Sequence, residues 1–204
     1  ALPSTWVTQP DGTPLAEVCE AANAWDSAGV HHALIPWAWE GRPGSYDGAS
    51  PNYPSNMSKA ADQLKATGAM AGLTVDPLLT SNGGAGTATS ADGRHWANIS
   101  TSEGRSVAAE NMRKAVRWGF DFFVVKLSDI PPDVLRKFNM TRAQADNLAL
   151  AIMTEAAGQR PVLPSTLGSI GANPADWAAA ANWFNQMAEY KVQSGPARLN
   201  AENV

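Results

Sequence analysis

"NMRKAVRWGFDFFVVKLSD", residues 111–129, holds in one phrase the pattern that decides the fold. In its first half Met112, Ala115 and Val116 fall at helical spacing among basic residues, which predicts an amphipathic helix. Gly119 stands where such a helix closes in a left-handed cap. Phe122 to Val125 follow as four consecutive apolar residues, the pattern of a strand buried on both faces in a parallel sheet. Lys126, Ser128 and Asp129 come at the carboxyl end of that strand, where side chains face a cleft. On this stretch alone, a Lys126 that snorkels to solvent and an Asp129 that caps the next turn explain the polarity equally well.

The same helix, glycine and strand recur along the chain. "EAANAWDSAG" leads to "VHHALIPWAWE", "KAADQLKATG" to "AMAGLTVDP", "ALAIMTEAAG" to "QRPVLPSTLGS", and "WFNQMAEYKVQSG" to "PARLNAENV". The closing glycines are Gly29, Gly68, Gly119, Gly158 and Gly195, and subtraction gives spacings of 39, 51, 39 and 37 residues. Each spacing suits a strand, a loop and a helix. The long interval contains "TSNGGAGTATSADGRHWANIS", residues 80–100, whose Gly, Ser and Thr content predicts a loop on the strand-exit side. Repeated βα units require a parallel sheet, either closed as a barrel or open and doubly wound. No Gly-x-Gly-x-x-Gly follows the first strand, so the dinucleotide-binding version has no support.

With "TWVTQ" as a first strand, six strands are predicted before Val204. A complete eight-stranded barrel takes about 250 residues. The expectation is therefore an α/β fold of the (β/α) TIM-barrel type, incomplete, forming one domain over residues 1–204. Open sheet edges need cover, and a longer parent with a further C-terminal segment, a partner chain or an open-sheet arrangement could each supply it.

Composition narrows the function. The 204 residues include eight tryptophans and 44% hydrophobic residues, enough for a sizeable core. A formal charge of -4, without a basic stripe, argues against nucleic acid as partner. No apolar run approaches the roughly 18 residues of a membrane span. Cys19 is the only cysteine, and the adjacent His31 and His32 with a distant His95 do not make metal-ligand spacing, so neither cofactor nor metal is expected. The start at "ALPSTW" suits a mature exported protein or a trimmed chain, and a secreted or periplasmic location is the expectation.

In this order the motifs resemble the catalytic barrel of the α-galactosidase-like clan, glycoside hydrolase families 27 and 36, over most of the chain. "GVHHALIPWAWEG" stands where the clan has a strand ending Asp-Asp-Gly-Trp, with Trp39 at the tryptophan. "YPSNMSKAADQLKATGAMAGLTVDP" is similar to the clan's helix, glycine and Gly-Leu strand, and is the most specific match. "WANISTSEGRSV" occupies the place of a clan phrase before a helix, and "GFDFFVVKLSD" that of the nucleophile strand, which retains Lys126. "RPVLPSTLGS" resembles the fifth strand, and "ARLNAENV" aligns Arg198 with the clan's arginine and Glu202 with its acid/base.

The departures bear on the chemistry. Pro36 and Trp37 replace the clan's paired aspartates, and Ser128 stands at the nucleophile position. The resemblance implies hydrolysis of an O-glycosidic bond, which generally needs two carboxyl groups. Four acids lie at predicted strand exits: Glu40, Asp76, Asp129 and Glu202. Glu202 is assigned as catalytic acid/base from the match, against a solvent-facing glutamate; Asp129 is the second carboxylate, against a helix cap before "PPDVLRKF". Lys126 and Arg198, with Ser128, are expected on the substrate. Glu40 is expected to bind a sugar hydroxyl beside Trp37 and Trp39, and Trp96 is a further platform. Asp76 completes the binding set, with a turn-forming aspartate before Pro77 as its plain explanation. Trp6, Trp25, Trp118, Trp177 and Trp183 are expected in the core. The alternative reading is a carbohydrate-binding pseudoenzyme, or an excised piece of a larger glycosidase.

Overall fold

The computed structural model describes residues 6–26, 29–46, 50–126 and 130–164. Strands β1 (Val7–Thr8), β2 (His32–Ile35) and β3 (Met70–Val75) enter one sheet, with helices α1 (Leu15–Asp26) and α2 (Met57–Lys65) between them. Three short strands follow, β4 (Leu79–Thr80), β5 (Thr87–Thr89) and β6 (His95–Ala97), then helix α3 (Ser102–Arg117) and strand β7 (Phe122–Val125). Helices α4 (Pro132–Phe138) and α5 (Arg142–Ala157) lead to β8 (Val162–Pro164). The main sheet is parallel throughout, in the order β1-β2-β3-β7-β8.

That order is the order of the chain. A doubly wound sheet reverses strand order at a switch point, and this one does not. Right-handed crossovers between strands added always on the same side place their helices on one face. The alternation of side chains agrees. Ala33, Ile35, Ala71, Leu73, Val75, Phe123 and Val125 fall on one face and none is exposed. The opposite face carries Thr74, Phe122 and Val124, and further along Asp76 and Lys126. On it the Phe122 ring fills the space above Gly72, where an added Cβ would lie 2.2 Å from the ring. Trp6 and His32 close on the same ring, with centroids 6.3 and 6.1 Å away.

The helix stops read from the sequence hold for the described glycines: Gly29, Gly68, Gly119 and Gly158 all have positive φ. Helix α5 starts with a reciprocal capping box between Thr141 and Gln144. At the amino end of the strands, Asp121 accepts from the Ala71 N–H at 2.9 Å and pairs with Lys65 at 2.9 Å, joining β3, β7 and α2.

Two expectations are corrected. Residues 80–100 are not a plain loop: β5 and β4 flank β6 in an antiparallel sheet. Its tip is tied by Ser90 N–H to Arg94 O at 2.8 Å and Arg94 Nε to Asp92 at 2.7 Å, contacts that composition hides. Trp25, expected in the core, is 52% exposed at the end of α1. The helix predicted at "WFNQMAEYKVQSG", the strand predicted at "PARLNAENV", Trp177 and Trp183 lie outside the described residues.

Candidate functional site

The carboxyl ends of β2, β3 and β7 lie side by side, because these strands are neighbours in register. Beyond β2 the chain turns sharply at Ala38, whose φ of 66° is unusual for a residue with a side chain. The turn sends successive aromatic residues different ways. Trp37 stays half-exposed, and the Lys126 ammonium lies 5.3 Å from its ring centroid, a cation–π distance. Trp39 turns into the core, 1% exposed, and its indole N–H donates to Thr74 O at 2.7 Å. Glu40 follows, half-buried, and its Oε2 accepts from the Gly44 N–H at 2.7 Å.

Gly44 holds this loop in place. Its φ is +76°, and an added Cβ would lie 2.7 Å from the Thr80 backbone, so only glycine fits. Two residues on, Tyr46 is buried, stacked on Trp118 at 6.0 Å and edge-on to Trp39 at 6.0 Å. Trp39 also meets Trp118 edge-on at 5.4 Å.

Asp76, the first residue beyond β3, is half-exposed and close enough to influence both Glu40 and Tyr46. Burial pushes the Glu40 carboxyl up to about 7; the Gly44 N–H works against this and the Asp76 charge adds to it. Burial, with the charges of Glu40 and Asp76, lifts the Tyr46 phenol well above its ordinary range. A carboxyl near 7 beside a second carboxyl is an arrangement that holds a proton at neutral pH and can give it up.

From the expected set, the structure places Lys126 against Trp37 and Asp76 within electrostatic reach of Glu40, at the exits of three adjacent strands. Trp39 and Trp96 are corrections: each is 1% exposed, so neither ring offers a face to a sugar. Trp96 donates from its indole to the Ser90 hydroxyl at 3.3 Å and carries the Arg94 guanidinium at 5.3 Å. Ser128, Asp129, Arg198 and Glu202 lie outside the described residues. Tyr46 was missed, since "GRPGSYDG" shows only a turn-rich segment. Among the described residues no group of His, Cys, Asp or Glu could hold a metal ion, and no helix is long and apolar enough to cross a membrane.

No family model and no curated protein matches the chain. Solved glycosidase structures do match it. An α-galactosidase from Thermus thermophilus, in complex with p-nitrophenyl α-D-galactopyranoside, aligns with TM-score 0.53 and 17% identity over 75% of this chain and 35% of its own. An Arthrobacter globiformis isomalto-dextranase complexed with panose gives TM-score 0.50 and 14% identity over 71% of this chain and 30% of its own. These show the class of fold: an α/β chain similar to about a third of each solved glycosidase.

The particular likeness is to the α-galactosidases. A family 36 enzyme from Geobacillus stearothermophilus, in complex with 1-deoxygalactonojirimycin, aligns with TM-score 0.55 and 12% identity over 75% of this chain and 26% of its own. The α-galactosidase-like resemblance of the motifs therefore holds at the level of fold. The chain spans about a third or less of the length of these structures.

Proposed function

We propose that the chain is the sugar-binding part of a TIM-type (β/α) barrel, glycoside hydrolase-like, acting on an O-glycosidic bond. The observation that carries this reading is the placement of two pairs, Trp37 with Lys126 and Glu40 with Asp76, at the carboxyl ends of adjacent strands in a singly wound parallel sheet. An aromatic ring covers the apolar face of a sugar, while carboxylates and an ammonium take its hydroxyls. In the reaction, a protonated carboxyl gives its proton to the glycosidic oxygen as the bond to the anomeric carbon breaks. A carboxylate on the other side stabilises that carbon or activates water. Glu202 and Asp129 are the nominated pair, and Ser128 and Arg198 are nominated as substrate contacts.

A second reading, sugar binding without turnover, is favoured by Ser128 at the nucleophile position and by Pro36 and Trp37 in place of paired aspartates.

The test is proton NMR of the protein with α- and β-linked galactosides, glucosides and N-acetylhexosaminides, with Glu202→Gln and Asp129→Asn as controls. New anomeric signals lost in either variant support hydrolysis and report retention or inversion. Line broadening without new signals supports binding alone. No effect from any sugar refutes both.

A further inference from the structure

Three steps in which glycine follows an aspartate or asparagine fall among the described residues: Asp11–Gly12, Asn82–Gly83 and Asp92–Gly93. At such a step the chain can cyclise, because glycine leaves the attacking amide nitrogen without a side chain to shield it. The reaction needs a side-chain carbonyl free to turn and a nitrogen free to reach it. Two of the three steps are held back by the fold. Gly12 N–H donates to Trp37 O at 2.9 Å. Gly93 N–H donates to Ser90 O at 2.9 Å, and the Asp92 carboxylate accepts from the Ser90 hydroxyl, from Arg94 N–H at 3.2 Å and from Arg94 Nε at 2.7 Å.

Asn82–Gly83 differs. Both residues are exposed, in the turn between β4 and β5. Among the described residues neither the Asn82 carboxamide nor Gly83 N–H has a hydrogen-bond partner. The turn is held around them instead: Asn82 O accepts from Thr80 Oγ1 at 2.9 Å, and Gly84 N–H donates to Thr87 Oγ1 at 2.8 Å. Packing keeps glycine at position 83, since an added Cβ would lie 2.9 Å from the His95 ring, itself 3.0 Å from Thr89 Oγ1. The turn also touches the loop of the candidate site, because Ser81 N–H donates to Gly44 O at 3.2 Å and Gly44 N–H holds Glu40.

We propose that Asn82 is a site of spontaneous covalent modification, converted through a cyclic imide with Gly83 into isoaspartate and aspartate. Gly83 N gives its proton to solvent base and bonds to Asn82 Cγ, and the side-chain nitrogen leaves as ammonia. Water then opens the ring. Attack at Cγ restores the chain and gives aspartate; attack at the Asn82 backbone carbonyl carbon gives isoaspartate, with the chain now running through the former side chain. Water enters and ammonia departs, so solvent is the only co-reactant. Either product puts a carboxylate into the turn, and isoaspartate also lengthens the backbone between Thr80 and Gly83. The modification stands independently of the carbohydrate reading.

The experiment incubates the full chain in mildly alkaline buffer, folded and in guanidinium chloride, and follows it by tryptic digestion and mass spectrometry. Cleavage after Lys65 and Arg94 releases residues 66–94, in which Asn82 is the only asparagine. In the folded chain this peptide should gain about 1 Da at a rate within about threefold of that in denaturant, with isoaspartate at residue 82 located by electron-transfer fragmentation. Isoaspartate at Asp11 and Asp92 should form at least about tenfold more slowly in the folded chain than in denaturant. Asn82→Gln should leave the mass of the peptide unchanged over the same period. A folded chain whose peptide keeps its mass, aspartate at residue 82 without isoaspartate, or a mass gain that persists in Asn82→Gln overturns the site. Isoaspartate forming at Asp11 or Asp92 as fast in the folded chain as in denaturant overturns the selection by the fold.

Discussion

Replacing Glu40 by glutamine should stabilise the protein in base and leave it nearly unchanged in acid. Burial raises the Glu40 pKa from 4.5 to about 7, which makes its ionisation about 3 kcal/mol less favourable in the folded chain than in the unfolded one. The sign follows from proton counting. Between pH 4.5 and about 7 the folded chain keeps a proton that the unfolded chain has released, so stability falls across this window and stays lower above it. Glutamine carries no such burden, and its carbonyl can still accept from the Gly44 N–H. Urea unfolding followed by tryptophan fluorescence should show the two proteins within about 1 kcal/mol near pH 5, and the variant ahead by about 3 kcal/mol near pH 8.5. An equal difference at both pH values, or a variant less stable in base, would refute the argument. Asp76→Asn should lower the Glu40 pKa only modestly, because burial is the larger cause.

The packing is equally open to test. Gly72→Ala drives a methyl into the Phe122 ring and should cost about 1–3 kcal/mol in urea unfolding, with Phe122→Leu on the same chain recovering part of it. Trp39→Phe removes the bond to Thr74 O and leaves a cavity; a loss of about 2–4 kcal/mol is expected by the same measurement. Thr141→Ala breaks the capping box of α5 and should cost about 1 kcal/mol, read as a lower thermal midpoint. Lys126→Met should weaken glycoside binding by calorimetry, while exchange at Trp37 leaves stability within about 1 kcal/mol.

The sequence alone determined the βα repeat. Helix periodicity, a glycine where φ must be positive and a run of apolar residues are local demands, and each is visible within about ten residues. Hence α3, Gly119 and β7 were legible from "NMRKAVRWGFDFFVVKLSD", and so was the position of Lys126 at the strand exit. Composition could not do as much for residues 80–100, where short strands are held by turn contacts of Ser90, Asp92 and Arg94.

Tertiary structure decided what each exit residue does. Trp37 and Trp39 are two residues apart and looked alike in sequence; the backbone turn at Ala38 gives one to Lys126 and the other to the core. Glu40 became a near-neutral acid only because the fold buries it beside Asp76, and Tyr46 joined them through a loop anchored on Thr80. The strand order also belongs to the tertiary level, since alternating helices and strands are common to single and double winding. Local spacing sets which residues stand at a strand end. Burial and the charges of neighbouring strands set their chemistry, and those depend on contacts that no short stretch of sequence contains.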